Sequence, residues 1–347
     1  MKRVWITGRG EPDVLQPREE PDPIPAAGEL RVRVAYAGVN FAEVMARLGL
    51  YPDAPPLPFV PGYEVSGTVD ALGDGVDPAW NGERVTAVTR FGGYSDLVCL
   101  PPDLVVRTPD SVPDDMAASL PVNYLTAHQM LHQVCSVREG ETVLVHGAAG
   151  GVGTAAVQLC RIVGATVIGT ASPAKHDFLR SMGVRPIASR TTDWPDRVRN
   201  LTAGRGVDIA LDPIGGVSFR RSYDLLAPGG RLCCFGASSM APGTRRSLPA
   251  AIRGMIRMPR FGAIALMNDN RSVAGVNLGH LWDETEMLRP QFEAIVSHAA
   301  EGRVKPVIDQ VFDLDQAAAA HERLQSRQSV GKILLRPSGA NREHLSL

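Results

Sequence analysis

The chain has 347 residues, 44% of them hydrophobic, with 36 Lys and Arg set against 37 Asp and Glu for a formal net charge of −1. That length suggests two domains with ample core, and the balanced charge excludes a nucleic-acid binder, which needs an excess of Lys and Arg. No apolar run reaches the roughly 18 residues of a membrane span, and the opening MKRVWITGR lacks the apolar core of a signal peptide. The five cysteines (Cys99, Cys135, Cys160, Cys233 and Cys234) are odd in number and scattered, mostly in apolar runs. They read as free thiols of a cytoplasmic protein rather than as a disulfide framework.

Residues 1 to about 122 read as short strands punctuated by Gly and Pro: 2–7, 30–37, 63–72, 84–89, 94–100 and 104–107, with one short helix over 41–48. Many short strands at close spacing predict a barrel-like β domain. After Pro113 the texture changes, and 114–133 reads as helix. Strands then alternate with helices, at 142–146, 166–169, 185–188, 207–211, 231–235 and 272–276. This alternation predicts a six-stranded parallel sheet in doubly wound order. A helix at 289–301, a strand at 307–312, a helix at 314–325 and a last strand at 332–335 return to the first domain, and 336–347 is polar. The expected division is 1–122 with 278–347 for the β domain, and 123–277 for the doubly wound domain.

Between the first two strands of the parallel sheet lies His146-Gly147-Ala148-Ala149-Gly150-Gly151-Val152-Gly153, followed by an amphipathic helix. Ala148-x-Gly150-x-x-Gly153 is the dinucleotide fingerprint with alanine for its first glycine. Gly150 lets backbone approach a pyrophosphate, Gly153 lets the helix pack on the strand, and the helix N-terminus presents free N–H groups. About 20 positions further on, an NAD enzyme carries Asp or Glu for the ribose 2′-OH. Here Thr170-Ala171-Ser172-Pro173-Ala174-Lys175 has no carboxylate before Asp177. Ser172 as donor and Lys175 as cation suit the 2′-phosphate of NADPH; the alternative is that Ser172 caps the next helix and Lys175 is solvated.

These motifs, with Gly38-Val39-Asn40-Phe41-Ala42-Glu43, Gly49-Leu50-Tyr51-Pro52, Pro61-Gly62-Tyr63-Glu64, Val122-Asn123-Tyr124-Leu125-Thr126-Ala127, Asp212-Pro213-Ile214-Gly215-Gly216 and Gly331-Lys332-Ile333-Leu334-Leu335, resemble the medium-chain dehydrogenase/reductase superfamily. The likeness is greatest to its zinc-free quinone oxidoreductase branch, including enoyl reductases and vesicle amine transport protein relatives. The resemblance implies an α/β protein, a GroES-like β-barrel-type catalytic domain joined to a Rossmann domain. Zinc-dependent relatives place cysteine where this chain has Asn40 and histidine where it has Tyr63, and neither Asn nor Tyr is a normal zinc ligand. No metal is therefore expected.

The resemblance implies NADPH contacts by Asn40, Thr126, Ala149, Gly150, Gly151, Val152, Gly153, Ser172, Lys175, Ile214, Phe235, Gly236, Ser238, Asn277 and Lys332. Relatives often carry tyrosine at the position of Ser189, and the adjacent Arg190 can supply the lost contact. Tyr51 matches the tyrosine that zinc-free enoyl reductases present to the substrate carbonyl, or is a loop aromatic packed beside 52–58. Asn40 positions the nicotinamide ribose or caps the helix at Phe41. Tyr63 lines the substrate pocket or belongs to the core, Asn123 lines the substrate pocket, and Lys332 lies near the cofactor or on the surface. Without a metal, hydrogen bonds alone must polarise the acceptor, which favours conjugated ones: enones, quinones or enoyl thioesters.

Residues 225–268 hold no Asp or Glu but six arginines, Arg231, Arg245, Arg246, Arg253, Arg257 and Arg260. A helix between Pro249 and Pro259 would set Arg253 and Arg257 on one face beside Ile252, Met255 and Ile256. The default is a solvated face. The alternatives are coenzyme A phosphates, with Arg253 and Arg257 as substrate contacts, or an acidic membrane surface. The expected activity is NADPH-dependent reduction of activated C=C bonds, plausibly in an enoyl-CoA. Quinone reduction and a non-catalytic nucleotide-sensing or membrane-associated role are the alternatives. The resemblance also implies a homodimer, by edge pairing near 272–276.

Overall fold

A computed structural model describes residues 1–240 and 247–337. The chain opens with β1 (Lys2–Ile6) and β2 (Leu15–Glu19), an antiparallel pair. Next come β3 (Leu30–Val39), α1 (Phe41–Arg47), β4 (Glu64–Leu72), β5 (Arg84–Val88), β6 (Leu97–Leu100) and β7 (Val105–Arg107). Helices α2 (Asp114–Ala117) and α3 (Pro121–His128) follow, and α3 runs into a π-helical turn, Gln129–Val134. One continuous helix over 114–133 is thus not what forms. Pro121, with no N–H to donate, starts a new helix at its first position.

The parallel section comprises β8 (Thr142–His146), α4 (Gly151–Val163), β9 (Thr166–Ala171), α5 (His176–Ser181), β10 (Arg185–Ala188), α6 (Trp194–Leu201), β11 (Val207–Asp212), α7 (Val217–Asp224), β12 (Leu226–Cys234), α8 (Leu248–Ile256), α9 (Ala263–Asp269) and β13 (Ser272–Gly275). The chain continues with α10 (Thr285–Ala300), β14 (Ile308–Asp313), α11 (Ala317–Gln325) and β15 (Lys332–Arg336).

Two compact units result. One comprises Met1–Leu125 with residues 278–337, the other 126–240 with Ser247–Asn277. In the first, seven strands form a sheet of order β14-β15-β3-β4-β5-β7, with β6 also paired to β3. Its interior is filled by Val4, Ile6, Leu30, Val32, Val65, Val85, Ile333, Leu335 and their neighbours. In the second, the order β10-β9-β8-β11-β12-β13 is the doubly wound one, all parallel. Central strands β8 and β11 are almost wholly buried, because helices cover both faces. β12 starts five residues before the expected Arg231. The stretch Ala227-Pro228-Gly229-Gly230 reads as a turn, but forms a bulge between the pairs Val207↔Leu226 and Ile209↔Arg231.

Candidate active site

Two constellations gather the expected residues, one in each unit. In the β unit, four buried polar side chains converge. Gly38 is what admits them: a Cβ there would stand 2.3 Å from Glu64 Oε1. Glu64, at the start of β4, is 0% exposed, and accepts from Asn40 Nδ2 at 2.8 Å and from the Val122 N–H at 2.7 Å. Lys332, the first residue of β15, pairs its ammonium with Glu64 and donates to Asn40 Oδ1 at 2.6 Å. It is 2% exposed, so the surface-lysine alternative is wrong. Glu43 on α1 accepts from the Asn40 N–H at 2.5 Å, from Asn40 Nδ2 at 3.3 Å and from the Tyr63 N–H at 3.2 Å.

Asn40 is therefore both the residue ahead of α1 and the hub between two carboxylates and an ammonium. Burial pushes the Glu43 carboxyl up to about 8; Lys332 pulls it down and Glu64 adds to the rise. Glu43 and Glu64 were assigned no role from the sequence. The available signal was a charge inside each of three apolar runs, around Glu43, Glu64 and Lys332.

Above Glu43 sits an aromatic group. The Tyr63 ring meets Tyr51 edge-on at 6.3 Å, Phe91 at 4.9 Å and Trp282 at 6.4 Å. Tyr51 follows Gly49, whose φ of +67° turns the chain out of α1. Asp53 holds this loop by a 2.8 Å contact with His280, a pair that the sequence also did not single out. Tyr51 is partly buried against the β core, and burial raises its phenol above the usual range. Asn123 and Thr126 lie on α3, both largely buried.

The second constellation is the glycine turn. Helix α4 starts at Gly151, with Gly150 ahead of it in extended conformation. A Cβ on Gly153 would stand 2.3 Å from Gly147 O, so helix and turn fit only because this residue has none. The motif Ala149-Gly150-Gly151-Val152-Gly153 thus forms the cradle that a pyrophosphate requires, with first-turn N–H groups of α4 free of side-chain caps.

A buried chain of hydrogen bonds braces this turn. Gly147 N–H reaches Thr170 Oγ1 at 3.3 Å, Thr170 lies 3.0 Å from His146 Nδ1, His146 Nε2 lies 3.0 Å from Ser222 Oγ, and Ser222 donates to Asp212 Oδ2 at 2.8 Å. Because Ser222 gives its proton to Asp212, it accepts from His146 Nε2–H, and Nδ1 takes the Thr170 proton. Burial lowers the His146 pKa, against the pull of Asp212. The ends of β8, β9 and β11 are so tied together.

Asp212 Oδ1 also accepts from Ile214 N–H at 2.7 Å, and Ser238 N–H donates to Pro213 O at 3.0 Å. Phe235 N–H donates to Asp212 O at 3.1 Å, and a Cβ on Gly236 would lie 2.9 Å from Pro213 O. Ile214, Phe235, Gly236 and Ser238 are thereby brought together at the ends of β11 and β12, with the exposed Asn277 just past β13. Ser172 precedes a short turn, Pro173–Lys175, without capping it through its side chain, which removes the capping alternative. Arg190 is exposed past β10.

Arg253 lies in α8 and Arg257 just beyond it, both exposed and without ion pairs among the described residues. Helix α8 ends at Ile256, so Arg257 and Arg260 do not share it. Arg245 and Arg246 lie outside the described residues. Gly254 packs on Met240, while Ile252, Met255, Ile256, Ile264 and Met267 are exposed.

At the positions where zinc-dependent relatives place ligands stand an amide and a phenol, which do not fit the metal. Among the described residues, no three His, Cys, Asp or Glu side chains gather in a way that could hold one. Nor is any helix there long and apolar enough to cross a membrane.

Residues 26–110 match the alcohol dehydrogenase GroES-like domain, and 183–335 match the family described as zinc-binding dehydrogenase. The mouse synaptic vesicle membrane protein VAT-1 homolog is 40% identical over 97% of this chain and 84% of its own. The Escherichia coli quinone oxidoreductase solved with NADPH superposes with a TM-score of 0.86 at 30% identity, covering 97% of this chain and 100% of the other. CurK enoyl reductase does so with a TM-score of 0.82 at 27% identity, over 97% and 99%. The chain belongs to the medium-chain dehydrogenase/reductase superfamily of oxidoreductases, with its GroES-like and Rossmann-type domains.

Proposed function

We propose that this oxidoreductase reduces activated C=C bonds of α,β-unsaturated carbonyl compounds at the expense of NADPH, without zinc. The observation that carries this reading is the donor set of the β unit. A phenol, Tyr51, stands beside Tyr63 where zinc-dependent relatives keep a metal ligand, so the acceptor must be one that a hydrogen bond can activate. When bound, NADPH would supply the hydride. The Tyr51 hydroxyl donates to the acceptor carbonyl, the charge that develops there spreads into the enolate rather than resting on one oxygen, and the enolate takes a proton at its α-carbon from a weak acid to complete the reduction. Asn40, fixed by Glu64 and Lys332, positions the reacting partners. The glycine turn holds the pyrophosphate, while Ser172, Lys175 and Arg190 receive the 2′-phosphate.

The names of the E. coli and CurK relatives support the two acceptor chemistries, quinone and enoyl, and CoA phosphates would meet Arg253 and Arg257. The edge of β13, which among the described residues pairs with β12 alone, supports a homodimer. The test mixes purified protein with NADPH and a panel of enoyl-CoAs, enones and quinones, following absorbance of the reduced nicotinamide. Consumption with an enone or enoyl acceptor, slowed strongly by Tyr51→Phe, is expected; no consumption with any acceptor sinks the proposal. One observation favours a second reading, a peripheral membrane role. Ile252, Met255, Ile256, Ile264 and Met267 are exposed near Arg253 and Arg257, which have no ion pair among the described residues, and vesicle binding lost in the double alanine variant of these arginines would mark it.

A further inference from the structure

Tyr63 carries a polar atom that the resting protein does not use. The residue is 4% exposed, and its hydroxyl is buried without a hydrogen bond of full geometry among the described residues. A buried hydroxyl without a partner lowers stability, and phenylalanine would fill the same ring space without that cost. The ring cannot swing to find a partner. Phe91, Trp282 and Tyr51 pack around it, and its backbone N–H is tied to Glu43. The phenol of Tyr51 is close enough to interact with the Tyr63 hydroxyl, but the two do not reach the geometry of a full hydrogen bond. Two hydroxyls are thus held next to each other among the Phe91 and Trp282 rings, with the Glu43 and Asp53 carboxyls in electrostatic range, and the Tyr63 hydroxyl is satisfied by no other described residue.

We infer that the Tyr63 hydroxyl is a second donor to the carbonyl oxygen of the acceptor, so that Tyr51 and Tyr63 together form an oxyanion site. The inference rests on the acceptor chemistry proposed above and deepens it: the substrate is one whose oxygen gathers charge as the β-carbon is reduced. Two phenols on one oxygen supply in the dry site part of what a Lewis acid supplies elsewhere. Burial holds the Tyr63 phenol well above its usual range, so it stays protonated and remains a donor throughout the working pH range.

The experiment compares the whole protein with Tyr63→Phe in two readouts. With NADPH and cyclohex-2-enone, kcat is expected to fall at least about tenfold, with the KM for NADPH unchanged. Independently of turnover, 4-nitrophenolate, a planar oxyanion, is expected to bind the parent and to bind the variant at least about tenfold more weakly, read from its visible absorbance. The melting temperature of the variant is expected to equal or exceed that of the parent. Tight nitrophenolate binding by the variant, or none by the parent, overturns the inference, as does a fall in melting temperature that accounts for the lost activity. If the parent reduces no acceptor yet binds nitrophenolate through Tyr63, the reductase reading fails and the oxyanion site stands.

Discussion

Lys332 Nζ donates to Asn40 Oδ1 over 2.6 Å, joining the first residue of the last strand to the turn between β3 and α1. The same ammonium pairs with Glu64, so one buried cation holds two residues that flank the aromatic group of Tyr51 and Tyr63. The cluster holds two carboxyl groups, of which Glu43 keeps its proton up to about pH 8, and one cation, all of them buried. Such an arrangement is sensitive to the loss of any member.

Removing the cation is the most direct perturbation. Lys332→Met leaves Glu64 buried without its counter-charge, and the expected loss is about 3–5 kcal/mol of unfolding free energy. Urea denaturation of the variant checks this; a midpoint equal to the parent's would show that the pair contributes nothing.

Glu43 gives the β unit a pH dependence of definite sign. Its folded pKa of about 8 lies above the usual 4.5, so the native state holds a proton that the unfolded chain has released. The associated stability is complete below about pH 4.5 and is lost as pH rises through about 8. Glu43→Gln should flatten the decline in melting temperature between pH 5 and 9, measured by thermal scans in a matched buffer series. An unchanged slope would mean that another group titrates.

In the nucleotide unit, Gly153→Ala places a methyl group 2.3 Å from Gly147 O and 2.7 Å from Ala148 Cα, so α4 must move off the turn. The expected outcome is at least about tenfold weaker NADPH binding, since the cradle depends on this close approach. Titration of nucleotide fluorescence measures it, and parental affinity would place the nucleotide elsewhere.

Selection of the phosphorylated cofactor is tested by Ser172→Ala with Lys175→Ala. A hydrogen bond to a charged group contributes about 1.5–3 kcal/mol, so the pair should weaken NADPH by roughly tenfold or more while leaving NADH unchanged. Equal losses for both nucleotides would assign these residues to packing. Ser172 does not cap a helix through its side chain, so the substitution should cost little stability.

The parallel sheet was legible because its first strands, β8 and β9, are short β-branched runs followed by glycine or serine, and periodicity reports such elements well. β2 was not, because Leu15–Glu19 buries only Leu15 and reads as polar loop; its pairing with β1 alone makes it a strand. The Asn40, Glu43, Glu64 and Lys332 cluster was invisible for another reason. Lys332 lies 268 positions from Glu64 and 292 from Asn40, and sequence pattern carries no sign of contacts made over such separations. The chain His146, Thr170, Ser222 and Asp212 was hidden in the same way, although His146, Thr170 and Asp212 lie at the ends of strands that were expected; Ser222 lies within α7.

The position of β15 orders the birth of the protein. It lies between β14 and β3 inside the barrel sheet, so the first strands synthesised must wait for nearly the last. The parallel sheet has no such debt: its six strands are contiguous in sequence and lie wholly ahead of Lys332. On the ribosome the nucleotide unit can close first, as domains generally fold in turn. The five earlier strands of the barrel sheet, β3 to β7, meanwhile keep part of the β3 edge unpaired, exposed to mispairing until β15 is set between β3 and β14.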